Sequence, residues 1–103
     1  MSLNKAMIIG YLGRDPESRT TQQGNPVATF SVATTERYDD VNGVRQERTE
    51  WHNVVAYGKT ADICRQYLAK GRQVYVEGKM QTREWTDRSG GRHRKTEIVA
   101  SGV

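Results

Sequence analysis

TEWHNVVAYGK, residues 49–59, is the stretch on which the fold turns. Read as a β-strand, it places Trp51, Asn53, Val55 and Tyr57 at positions of one parity, because alternate side chains share a face. Lys59 follows just past the end. Two large rings then look the same way out of a polar chain. They either fill a core or form a platform for something flat, and the flanking segments have to decide which.

Working outward, VRQERTEWHNVVAY (44–57) is preceded by VATFSVATTERY (27–38), which is rich in β-branched residues. The Asn42-Gly43 pair between them is a hairpin signal. NKAMIIGYLG (4–13) reads as a first strand, followed by turn signals at Asp15–Glu17 and Gln22–Pro26. Beyond Lys59 the period changes. In TADICRQYLAKG (60–71), Ala61, Cys64 and Leu68 recur at helical spacing. Thr60 is expected as the N-cap, Asp62 in the first turn, and Gly71 as a left-handed C-cap. RQVYVEGKMQTREW (72–85) and HRKTEIVASGV (93–103) are strands again, joined by TDRSGGR.

The order is β-β-β-α-β-β, so the fold class is mainly all-β. Gly10 and Gly78 permit the sharp bends of a small closed barrel. A five-stranded Greek-key OB barrel, with one short helix between its third and fourth strands, has this order and commonly binds single-stranded nucleic acid or oligosaccharide. The SH3-like barrel is the structural rival, but it lacks a helix at this place. A chain of 103 residues suits one domain, 1–103.

The net charge is +4, and it is unevenly spread. Between Lys79 and Thr96 there are six basic and two acidic residues, a surplus equal to that of the whole chain. Such a concentration favours a polyanionic partner, although a solvated hairpin would also carry it. Cys64 is the only cysteine, which excludes an internal disulfide and fits a reducing compartment. No apolar run is long enough for a membrane span, and MSLNKAMIIG lacks a signal-peptide pattern. A cytoplasmic place is expected.

Enzymatic chemistry finds no constellation. His52 and His93 lie in different segments without metal-ligand spacing. Phosphate-loop and nucleophile-elbow motifs are missing. No cofactor and no metal are called for, Asp39-Asp40 reads as a solvated turn, and Cys64 reads as a core filler. What remains is rings interleaved with cations. Lys79, Gln81, Arg83 and Trp85 share parity on the fourth strand, a poor core face and a good wet one. Tyr38 ends the second strand beside Arg37. Bases stack on such rings whatever their sequence, and Lys and Arg meet the phosphates. Phe30, Tyr67 and Tyr11 are assigned to the core or its rim. His52 has the parity opposite to Trp51 and is read as structural.

NKAMIIGYLGRDPESR, TEWHNVVAYGK and YLAKGRQVYVEGKMQTREWTDRSG together resemble the bacterial and mitochondrial single-stranded DNA-binding proteins, over about residues 4 to 100. The resemblance implies an OB-fold assembled as a homotetramer that wraps single-stranded DNA without sequence preference, in replication, recombination and repair. It maps the base-stacking rings to Tyr38, Trp51, Tyr57 and Trp85. Basic contacts fall on Arg19, Lys59, Lys70 and Arg83, with Lys5 near the N-terminal contact region. Gln81 and Glu84 stand where the family is basic. His52, Gln73 and Tyr75 map to subunit contacts, and the bacterial nucleoid is the expected location. Family members continue into a flexible linker and an acidic tip that recruits other proteins. The chain as given stops at Val103, so that recruitment lies outside it, whether it is a DNA-binding core or a short paralogue. The alternative reading is a primosomal or protein-interaction module on the same fold.

Overall fold

The computed structural model describes residues 2–103. Its elements are β1 (Ala6–Leu12), β2 (Glu17–Thr20), β3 (Pro26–Asp39), β4 (Arg45–Tyr57), α1 (Gly58–Tyr67), β5 (Gln73–Thr86) and β6 (Arg92–Gly102). Hydrogen bonding runs β1-β5-β6-β4-β3 and returns from β3 to β1, which closes a five-stranded barrel. Every pairing is antiparallel except β4 with β6, which run parallel through Val54↔Ile98 and Val55↔Val99. This is the OB-fold expected from the element order. The addition is β2, four residues laid along the start of β3, from Glu17↔Thr29 to Thr20↔Pro26. All four are exposed and carry no alternation, so no apolar pattern announces them.

Strand parity builds the core. Leu12, Ala28, Phe30, Val32, Val54, Ala56, Val74, Val76, Ile98 and Ala100 alternate along their strands and form one buried cluster. Ala61 and Cys64 of α1 close it. Gly10 and Gly78 sit where strands approach too closely for a side chain. A Cβ at Gly10 would strike the Ala33 carbonyl, and one at Gly78 the Val99 carbonyl beside a break in register.

The helix boundaries differ from expectation. α1 begins at Gly58 with Tyr57 at the N-cap position and no side-chain cap, so Thr60 is already inside the helix. Asp62 is past the first turn and pairs with Arg65 at 3.6 Å. The helix ends at Tyr67, with extended Leu68 as C-cap. Gly71 has φ +83°, but it serves the turn beyond, where its N–H donates to the Leu12 carbonyl at 2.8 Å. The physical reason is local: β4 runs straight into the helix, leaving no loop for a polar cap.

β3 with β4, and β5 with β6, continue outward as two-stranded arms whose outer residues are exposed. The arm tips share one design. At Asp40–Val44 the Asp40 carboxylate accepts the N–H groups of Asn42 and Val44, both at 2.9 Å. At Asp87–Gly91 the Asp87 carboxylate accepts those of Ser89 (2.9 Å) and Gly91 (2.7 Å). In each, the fourth residue is a glycine at positive φ, Gly43 (77°) and Gly90 (85°), whose N–H returns to the aspartate carbonyl. Among the described residues, no helix is long and apolar enough to cross a membrane.

Candidate nucleic-acid interface

Trp51, Asn53, Val55 and Tyr57 of β4 share the outward parity, and they line a groove of about 690 Å³. Its floor is Asn53 and Val55 of β4 with Val99 of β6, flanked by Thr29 and Ser31 of β3. Ser31 Oγ donates to Asn53 Oδ1 at 3.5 Å. The walls are the β1–β2 connection on one side and the β5–β6 arm on the other. Trp51 and Tyr57 stand at positions of one parity, 55% and 52% exposed. The rings are therefore a platform, while Val55 between them is buried as floor.

Trp51 is held from behind by an absent side chain. A Cβ on Gly13 would lie 2.6 Å and 2.7 Å from two ring carbons of the indole. The glycine lets the β1–β2 connection pass close beside that edge of the ring. The same connection positions Lys70, whose backbone N–H donates to Asp15 Oδ1 at 2.8 Å.

Four cations line the groove: Arg14, Arg19, Arg83 and Lys95. Three carboxylates accompany them, Asp15, Glu17 and Glu97. Asp15 is turned to the Lys70 amide, and Glu97 lies 3.5 Å from Arg83 Nε. Arg14, Arg19 and Lys95 take part in none of the ion pairs within 4 Å among the described residues. These three cations are thus available to an incoming anion without breaking a pair.

Of the residues expected from the sequence, Arg19, Trp51, Tyr57 and Arg83 meet in this groove. Trp85 continues the row up the arm, 43% exposed, with the Arg83 guanidinium 5.4 Å from its ring centre. Lys79 lies on the same outer face of β5, paired with Val99, and Lys59 is exposed beside Tyr57. Tyr38 is apart from them. It lies on the other arm opposite Gln46, and its parity sets it on the reverse face of the ribbon from Trp51, which pairs with Ala33. Arg48 covers its ring at 5.7 Å. Lys5 is also outside the groove, paired with Glu77 at 3.4 Å.

Gln73 and Tyr75 of β5 lie against Tyr11 and Ile9 of β1 on a second outer face, with Met7 alongside. Ile9 is 61% exposed, and Tyr11 and Tyr75 are exposed too, so Tyr11 is surface rather than core. Tyr67 is likewise exposed on α1, because Cys64 takes the inward position. The Tyr75 hydroxyl donates to Glu77 Oε2 at 3.2 Å; desolvation, then the Glu77 charge, push its phenol up. His52 is not on this patch. It has the inward parity, and its Nε2 shares a 2.8 Å hydrogen bond with Thr34 Oγ1.

Gly13, Arg14, Lys95 and His93 were not foreseen. Lys95 was within reach of parity, since it stands opposite Arg83 in register. Gly13 was not, because its role is a contact between segments far apart in sequence.

An outward groove on an OB barrel, lined by cations outside any ion pair and by flat rings, has the make-up of a polyanion-binding module. Comparison with known proteins makes the assignment specific. The Single-strand binding protein family matches residues 3–103, and the chain belongs to that family. It is 57% identical over 102 residues to single-stranded DNA-binding protein 1 of Chlorobaculum tepidum, covering 98% of this chain and 63% of that one. It is 52% identical over 101 residues to the single-stranded DNA-binding protein of Neisseria meningitidis, covering 98% and 58%. The chain thus spans about three fifths of the length of these curated relatives. Its fold matches the Plasmodium falciparum SSB solved in complex with ssDNA, with TM-score 0.90, 41% identity, and coverage of 98% of this chain and 89% of that one.

Proposed function

We propose that residues 1–103 act as one domain that binds single-stranded DNA without sequence preference, protecting it during replication, recombination and repair. The observation that carries this reading is the pair of outward rings, Trp51 and Tyr57, in a groove edged by Arg14, Arg19 and Lys95. Each ring takes a base by stacking, worth about 1–3 kcal/mol per base, and the cations replace the counterions of the phosphates. Trp85 and Arg83 extend the path along the β5–β6 arm. Tyr38 takes the strand where it crosses to the reverse face of the other arm. Lys59, Lys70 and Lys79 edge the route, and Lys5 contributes at the patch it shares with Glu77. Support comes from the Plasmodium falciparum relative, whose structure holds ssDNA. The Chlorobaculum and Neisseria relatives are bacterial, which supports a place on the nucleoid.

The homotetramer is the second part of the proposal. Met7, Ile9, Tyr11 and Tyr75 form an exposed apolar face, and β1 pairs with β3 only at Tyr11 and Leu12, leaving the Ala6–Gly10 edge open. An apolar face beside an open strand edge is suited to a second copy of the chain. Gln73 belongs to this contact, and His52 to a separate one at the barrel rim.

Quenching of tryptophan fluorescence by poly-dT at rising salt tests the binding. Log K should fall against log salt with slope about −0.7 for each phosphate neutralised. Affinity that ignores salt, or that favours duplex, refutes the reading. Unchanged affinity in Trp51→Ala together with Trp85→Ala would favour a protein-interaction module instead.

A further inference from the structure

One side-chain cluster stands outside the groove, at the tip of the β5–β6 arm. Trp85 and His93 are register partners, and their rings stack with centroids 5.4 Å apart at 21°. His93 Nε2 lies 2.7 Å from Asp87 Oδ2. The other oxygen, Asp87 Oδ1, accepts the N–H groups of Ser89 and Gly91. The carboxylate is therefore fixed by the turn's own backbone. The His93 hydrogen bond, then that from Gly91, hold it below the usual carboxylate range. A line of contacts runs from backbone amide to carboxylate to imidazole to indole. From the barrel side a matching line reaches the same ring. Glu97, whose side chain is only 13% exposed, holds Arg83 Nε at 3.5 Å, and Arg83 lies against Trp85.

An exposed indole on a two-stranded arm has rotamers to lose, and a base that stacks on it must absorb that ordering cost. A ring already stacked on a fixed partner has lost them beforehand. The partner also occupies a face, and a covered face takes no base. We infer that His93, anchored by Asp87, is a positioning residue for Trp85: it backs the indole and sets its rotamer, so that the face it covers takes no base. This deepens the single-strand reading and rests on it. The strand meets Trp85 from one side and is not threaded with the indole between two bases.

The test uses the full chain and a fluorescently labelled oligo-dT, read by anisotropy. His93→Ala weakens binding about threefold to tenfold, the range expected for ordering one side chain. His93→Phe keeps a ring on the indole and restores affinity to within about twofold, with the salt slope unchanged in both. In the free protein, the His93 ring protons show an upfield ring-current shift that disappears in Trp85→Ala. A His93→Ala protein that binds like the parent overturns the inference. So does a weakened His93→Ala protein with a shallower salt slope and no rescue by Phe, which would make His93 a phosphate contact. A parent that fails to bind oligo-dT overturns the single-strand reading and this one with it; a parent that binds while His93→Ala matches it overturns only the backing role.

Discussion

Gly13 shows how much one missing methyl group can set. A Cβ there would intrude to 2.6 Å of the Trp51 indole. Gly13→Ala should therefore push the indole off its seat without opening the barrel. The expected result is a loss of about tenfold in poly-dT affinity, roughly one base's stacking, with the circular dichroism melt little changed. Cys64 is the opposite case, a side chain whose value is to be inert. Burial pushes its thiol up to about 11, so it stays protonated at neutral pH. A disulfide reagent at pH 8 should modify it slowly in the native protein and quickly in urea. At this scale the sequence was readable wherever parity could be counted from a secure neighbour. Trp51 and Tyr57 face outward because Val54 and Ala56 face inward. Tyr11 could have been read the same way from Leu12, yet its size drew it toward the core. Tyr67 obeys the helical period set by Cys64.

Among the elements, the two arm tips repay comparison. Asp40 and Asp87 hold equivalent turns, and both carboxyls lie below the usual range. For Asp40 the leading cause is the Val44 N–H, and for Asp87 the His93 ring. A depressed folded pKa means stability that is present above the unfolded carboxylate value and lost as pH falls through the folded one. Both tips should therefore keep their order to more acid conditions than ordinary aspartates titrate. Carboxyl NMR titration checks this: the midpoints of Asp40 and Asp87 should fall on the acid side of the ordinary aspartate value. The turns were legible because Asn-Gly and Ser-Gly-Gly mark them, and so were the long strands they join. β2 was not. A four-residue strand with every side chain exposed carries no hydrophobic signal, and only its pairing with β3 defines it. The helix start was misplaced because a strand running directly into a helix leaves no conventional cap to recognise.

For the whole molecule, the barrel order followed from the sequence because glycines, turns and one change of period constrain how five strands close. The groove did not, since it needs the β1–β2 connection and the β5–β6 arm brought to opposite sides of β4. The assembly is tested at this scale. Ile9→Glu with Tyr75→Glu places charge on the β1–β5 face and should reduce the mass found by light scattering below that of four chains, to two chains where the separate His52 contact persists; an unchanged mass would put the subunit contact elsewhere. A last consequence lies in how the barrel is shut. β4 and β6 touch through only two register pairs, Val54↔Ile98 and Val55↔Val99, and Val55 with Val99 is also the groove floor. The wall has two joints this short, the other being β1 with β3 at Tyr11 and Leu12, and a single strand bound as proposed would lie across the β4–β6 one. A strand gripped by Trp51 on one bank and Arg83 on the other acts as a suture over that joint, so the unfolding temperature should climb with each increment of oligo-dT.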